Sequence, residues 1–136
     1  MTPEVLRDQR KVMIVDDDDD AREIFGLGLT EGAGWSVVYA SSGLEALEVF
    51  QRERPDVVLM DVMMPGIDGF TTMTRLRALP TGTDVPVIFI TAGAGPDEHR
   101  RVRELGAHGV IDKPLDPWAL AGHVRRLLAG GRGGVR

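Results

Sequence analysis

Short apolar runs recur along the chain: Val12-Met13-Ile14-Val15 behind Lys11, Trp35-Ser36-Val37-Val38-Tyr39, Val57-Val58-Leu59-Met60, Val85-Pro86-Val87-Ile88-Phe89-Ile90 and the brief Val110-Ile111. Most are continuous rather than alternating, which suits strands buried on both faces. Between them, apolar residues repeat every three or four positions, the period of a helix with one buried stripe. Ala21, Ile24, Phe25 and Leu29 predict a first helix, and Leu44, Leu47 and Phe50 a second. A third is predicted by Phe70, Met73, Leu76 and Leu79, and a last by Trp118, Ala121, Val124, Leu127 and Leu128. The charged stretch from Asp97 to Glu104, closed by Leu105-Gly106, reads as an exposed helix before the final strand.

Polar residues punctuate this pattern. Asp18, Asp19 and Asp20 are placed to cap the first helix, because carboxylates accept its free amides and suit its dipole. Gly26 and Gly28 each weaken that helix by about 1 kcal/mol relative to alanine, so close packing is expected at them. Ser42 and Glu45 have capping-box spacing for the second helix. Pro55, Pro65-Gly66 and Pro80-Thr81-Gly82 mark turns. Strand and helix therefore alternate five times. That order implies an α/β fold, a parallel sheet with right-handed crossovers and helices on both faces, in an α/β/α sandwich.

A chain of 136 residues with 43% apolar and 27% charged residues suits one ordinary globular domain. Residues 1–10 are polar and unpatterned and read as a leader, 11–129 as the folded domain, and the Gly- and Arg-rich 130–136 as a disordered tail. The few residues after Leu128 are too short for an output domain, so a single-domain protein is expected rather than a piece of a longer one. A net charge of −5 argues against a nucleic-acid grip. Without cysteine there is neither a disulfide framework nor a thiolate metal site. No apolar stretch reaches membrane-span length and no signal peptide opens the chain, so the cytoplasm is the expected location.

The chemistry lies where the apolar runs stop. Asp16-Asp17 follow the first strand, Asp61 the third, Thr91 the fourth and Lys113 the fifth. In a parallel sheet these carboxyl ends share one rim, where such folds place their ligands. Three carboxylates crowded together are stable in ionised form only beside a cation. Oxygen donors without imidazole or thiolate select Mg²⁺, or Mn²⁺, over zinc. His99, His108 and His123 have no metal-ligand spacing. A magnesium site with one hydroxyl and one lysine is equipment for phosphoryl transfer, with Asp61 as the nucleophile that becomes an acyl phosphate.

Four segments carry a family resemblance: Ile14-Val15-Asp16-Asp17, Leu59 through Gly69 (LMDVMMPGIDG), Ile90-Thr91-Ala92 and Asp112-Lys113-Pro114. In this order and at strand ends, the sequence resembles the receiver domain of two-component response regulators, over roughly Lys11 to Ala129. The resemblance implies a flavodoxin-like strand order of 2-1-3-4-5. It implies that Asp61 accepts a phosphoryl group from a sensor histidine kinase, with Asp17, Asp61 and the Met63 backbone carbonyl binding Mg²⁺ directly. Asp16 would act mainly through water. Thr91 would hydrogen-bond the phosphoryl group, Lys113 would pair with it, and the Lys113-Pro114 bond would be cis. The alternative role is a relay that hands the group on to a histidine phosphotransfer domain.

Val110 departs from the family pattern, standing three residues before the lysine where receivers usually carry Tyr or Phe, so no ring is available there to report the state of the site. Met63 and Gly93, two residues past Asp61 and Thr91, cannot orient an attacking water as a carboxylate or amide would. A long-lived phosphoryl group is expected. An enzyme reading also exists: Asp16-Asp17-Asp18 contains the Asp-x-Asp of haloacid-dehalogenase-type Mg²⁺ phosphatases. It would make Asp16 the nucleophile, but Asp20 stands where that motif wants Thr or Val.

Overall fold

The structure is a computed structural model that describes residues 9–93 and 95–130. Five strands, β1 (Lys11–Val15), β2 (Ser36–Ala40), β3 (Val57–Asp61), β4 (Val87–Thr91) and β5 (Gly109–Asp112), alternate with helices α1 (Asp19–Ala33), α2 (Gly43–Glu53), α3 (Gly69–Arg77), α4 (Pro96–Glu104) and α5 (Leu120–Gly130). A 3₁₀ turn, Pro117–Ala119, leads into α5. All strand pairs are parallel, in the order β2-β1-β3-β4-β5. The flavodoxin-like order is therefore as expected. The predicted leader and tail fall largely on residues 1–8 and 131–136, outside the described residues.

The strands are apolar on both faces because each face is covered. Met13, Val15, Val58, Met60, Val87 and Phe89 pack with Phe50, Phe70, Met73, Leu76 and Val102 of α2, α3 and α4. Val12, Ile14, Val57, Leu59, Ile88 and Ile90 pack with Phe25, Leu29, Leu120 and Val124 of α1 and α5. Alternation within each strand thus feeds two cores, one per layer.

The helix caps follow the sequence with one variation. Asp18 is the N-cap of α1, its carboxylate accepting the amides of Asp20 and Ala21. Ser42 caps α2 and accepts the amide of Glu45 at 3.1 Å. The Glu45 carboxylate, however, takes the amide of Ser41 at 2.8 Å, so the reciprocal half of the box closes one residue early.

Three residues expected to face inward do not. Ile24 is 48% exposed, Leu44 59% and Trp118 63%. Ile24 and Leu44 each stand one position off a stripe that buries a neighbour. On α1 the buried residues are Phe25, Gly26, Gly28 and Leu29, and on α2 they are Gly43, Ala46, Val49 and Phe50. Trp118 belongs to the 3₁₀ turn rather than to α5. Apolar character alone cannot say which side of a wide stripe a neighbouring element covers. Strand boundaries shift slightly too: Trp35, buried, precedes β2, and Val85 precedes β4.

Gly26 and Gly28 are explained by close packing. A Cβ on Gly26 would strike the Tyr39 hydroxyl, and one on Gly28 would strike the backbone carbonyl of Pro117. Gly28→Ala pits about 1 kcal/mol of helix propensity gained against an overpacking cost of about 1–3 kcal/mol. Because the obstacle at Gly28 is backbone, the cost should win and the urea midpoint should fall. At Gly32 the nearest obstacle is the exposed Trp118 ring at 3.2 Å, which can move. Gly32→Ala should therefore leave the midpoint unchanged or raise it.

Candidate functional site

The carboxyl ends of β1, β3, β4 and β5 meet at one rim, where the folded chain holds Asp16, Asp17, Asp61, Thr91 and Lys113. Asp16 directly follows β1 and is nearly buried, at 3% exposure. Its amide donates to Ala40 O at 3.1 Å, and its Oδ1 accepts the Asp18 amide at 2.9 Å. Lys113 Nζ donates to Asp16 Oδ2 at 3.2 Å and stands 3.7 Å from Asp61 Oδ2. One ammonium thus bridges two carboxylates from different strands. Asp17, next along, is exposed.

Asp61 is the last residue of β3, and its Oδ1 accepts the Met63 amide at 3.3 Å. The Met63 side chain points to solvent, at 74% exposure. Val62 O accepts the Gly69 amide at 2.8 Å, which returns the Pro65-Gly66 loop against the strand end. A Cβ on Gly69 would collide with the carbonyl of Asp61, so the start of α3 rests directly on this residue's backbone. Thr91 is 2% exposed, and its Oγ1 accepts the Gly93 amide at 3.4 Å. Thr91 O accepts the Lys113 amide at 2.7 Å, tying the ends of β4 and β5 together. The Lys113-Pro114 peptide is cis.

The electrostatics are unbalanced. Carboxylate oxygens of Asp16, Asp17 and Asp61 lie within 4.8 Å of one another, facing the single ammonium. Burial, aided by Asp16 and Asp17, holds the Asp61 carboxyl above its ordinary value, with Lys113 and the Met63 amide pulling the other way. Hard oxygen donors with excess negative charge fit Mg²⁺.

Two further expectations meet the geometry here. Asp18, which the phosphatase reading needs beside the nucleophile, has its carboxylate committed to the cap of α1. Val110 is half-buried and packs against the α2–α4 core, in register with Phe89. One residue was passed over in sequence: Arg22, whose guanidinium donates to Asp16 O at 2.6 Å. An arginine on a charged helix face carries no signal of that contact.

A response regulator receiver domain matches residues 12–125 of the chain. The transcriptional regulatory protein CseB of Streptomyces coelicolor is 39% identical over 123 residues, 90% of this chain and 51% of that protein. The crystal structure of the chemotaxis protein CheY4 of Vibrio cholerae superposes with a TM-score of 0.82 at 31% identity, covering 88% of this chain and 98% of that one. The signal receiver domain of a signal transduction histidine kinase from Syntrophus aciditrophicus gives 0.76 at 34% identity, over 89% and 91%. The chain spans about half the length of the curated transcriptional regulators it matches. On the matched profile and this superposition, the chain belongs to the response regulator receiver domains of two-component signalling.

Proposed function

We propose that this chain is a phosphorylation switch in which Asp61 accepts a phosphoryl group from the phosphohistidine of a sensor kinase or a histidine phosphotransfer domain. The observation that carries this is Lys113 held between Asp16 and Asp61 at 3.2 and 3.7 Å, beside three clustered carboxylates. In transfer, an Asp61 carboxylate oxygen attacks phosphorus. The new O–P bond forms as the P–N bond to the donor imidazole breaks, and that ring leaves with the electron pair and takes a proton from solvent.

Asp17, Asp61 and the Met63 carbonyl would hold Mg²⁺, with Asp16 acting through water. When bound, the ion supplies positive charge to the phosphoryl oxygens. Lys113 is already within reach of Asp61, so after transfer it needs only a small movement to pair with the phosphoryl group. The Thr91 hydroxyl accepts from Gly93, which leaves its own proton free to donate to a phosphoryl oxygen. Movement of Thr91 would pass to β5 through the Lys113 amide on Thr91 O. With Val110 in place of an aromatic residue, the readout must run through backbone and loop movement. The 11–129 span would act as the receiver unit, and no helix among the described residues is long and apolar enough to cross a membrane.

Labelling with acetyl phosphate and Mg²⁺ tests the assignment. Asp61→Asn should abolish incorporation; if Asp16→Asn alone abolished it while Asp61→Asn did not, the nucleophile would be misassigned. The label should persist for minutes or longer without a phosphatase, because Met63 and Gly93 offer no group to orient water. Loss within seconds would contradict that.

The raised pKa of Asp61 has a consequence for stability, read in thermal melts without Mg²⁺. A carboxyl that holds its proton more tightly folded than unfolded costs stability as pH rises from the ordinary 3.8 through its folded value. Asp61→Asn removes that cost, so the variant should melt above the wild type at pH 7. The difference should close below about pH 4, and added Mg²⁺ should narrow it at neutral pH.

A further inference from the structure

Arg22 lies on α1 outside the rim, yet its guanidinium reaches the loop that carries the acids. Nη1 donates to Asp16 O at 2.6 Å, and Nη2 pairs with the Asp19 carboxylate. The side chain is mostly covered, at 17% exposure, so this fork is no freely waving surface contact. It spans from the end of β1 to the first turn of α1.

Asp16 is thereby held at every polar atom: its amide by Ala40 O, Oδ1 by the Asp18 amide, Oδ2 by Lys113 and its carbonyl by Arg22. Asp17 differs. Its exposed carboxylate has no hydrogen bond or ion pair among the described residues, so its position is inherited from its neighbours. On one side is the Asp16–Asp17 peptide whose carbonyl Arg22 grips. On the other is Asp18, fixed as the helix cap.

We propose that Arg22 is a positioning residue for the divalent cation: by gripping the Asp16 carbonyl it sets where Asp17 presents its carboxylate. The inference rests on reading Asp16, Asp17 and Asp61 as the Mg²⁺ site. Groups that orient metal ligands typically matter about 10–100-fold in affinity. Charge works in the opposite direction, since a nearby guanidinium repels a cation. The two roles therefore predict opposite signs when the side chain is removed, and a purely structural role predicts no sign at all.

Isothermal titration with MgCl₂ at fixed ionic strength, alongside melts in chelator to confirm folding, separates these. Arg22→Ala should weaken Mg²⁺ binding by about tenfold while the variant remains folded at the titration temperature. Arg22→Lys keeps the charge but cannot span both acceptors, and should fall between Arg22→Ala and the wild type. Unchanged or tighter binding by Arg22→Ala would overturn the proposal. So would an Arg22→Lys variant equal to the wild type, because the two-pronged grip on Asp16 O and Asp19 would then be dispensable. If the wild type itself failed to bind at millimolar MgCl₂, the metal-site reading would fall, and this inference with it.

Discussion

The site depends on one constraint: carboxylates from β1 and β3 have been brought close enough to repel, and a single ammonium from the end of β5 stands between them. Lys113 reaches Asp16 and Asp61 at 3.2 and 3.7 Å, and the Asp16 side chain is only 4% exposed. A charge so covered needs its partner; stripping the partner from a buried pair costs about 3–5 kcal/mol. The compensation is partial, since three clustered carboxylates stand against one lysine that pairs with only two of them. The remaining excess negative charge makes the rim receptive to a divalent cation, and burial, with that charge adding to it, keeps the Asp61 carboxyl above its ordinary value. Stability and reactivity come from the same imbalance.

The acidic run that begins at Asp16 shows how identical residues are divided by position. Asp16 is buried against Lys113, Asp17 is exposed at the rim, Asp18 caps α1 and Asp19 pairs with Arg22. Only Asp16, Asp17 and Asp18 separate the strand end from the helix start, so the run must serve both. Its neighbours are equally constrained. Gly69 lets α3 rest on the carbonyl of Asp61, and Thr91 O binds the amide of Lys113. Asp61 therefore adjoins α3 and β4 through backbone, and β4 is tied in turn to β5.

Much of this was legible beforehand because the signals are local. Continuous apolar runs specify strands covered on both sides, and helix spacing between them implies crossovers and thus a parallel sheet. A parallel sheet puts every strand's carboxyl end on one rim, which is why Asp16, Asp17, Asp61, Thr91 and Lys113 could be grouped from positions nearly a hundred residues apart. The strand order was a different matter: apolar runs are interchangeable, and it came from the family resemblance rather than from periodicity.

Tertiary structure decided what depends on a neighbour distant in the chain. Ile24 and Leu44 are as apolar as Phe25 and Phe50, but only contact with the sheet determines which of them is covered. Gly28 is a helix defect until Pro117 is seen against it. The nearness of Lys113 to both Asp16 and Asp61, the unequal burial of the five acids and the grip of Arg22 on Asp16 O likewise arise only on folding. A residue's chemistry is written in the chain, whereas its exposure, its partners and the pKa they impose belong to the packed molecule.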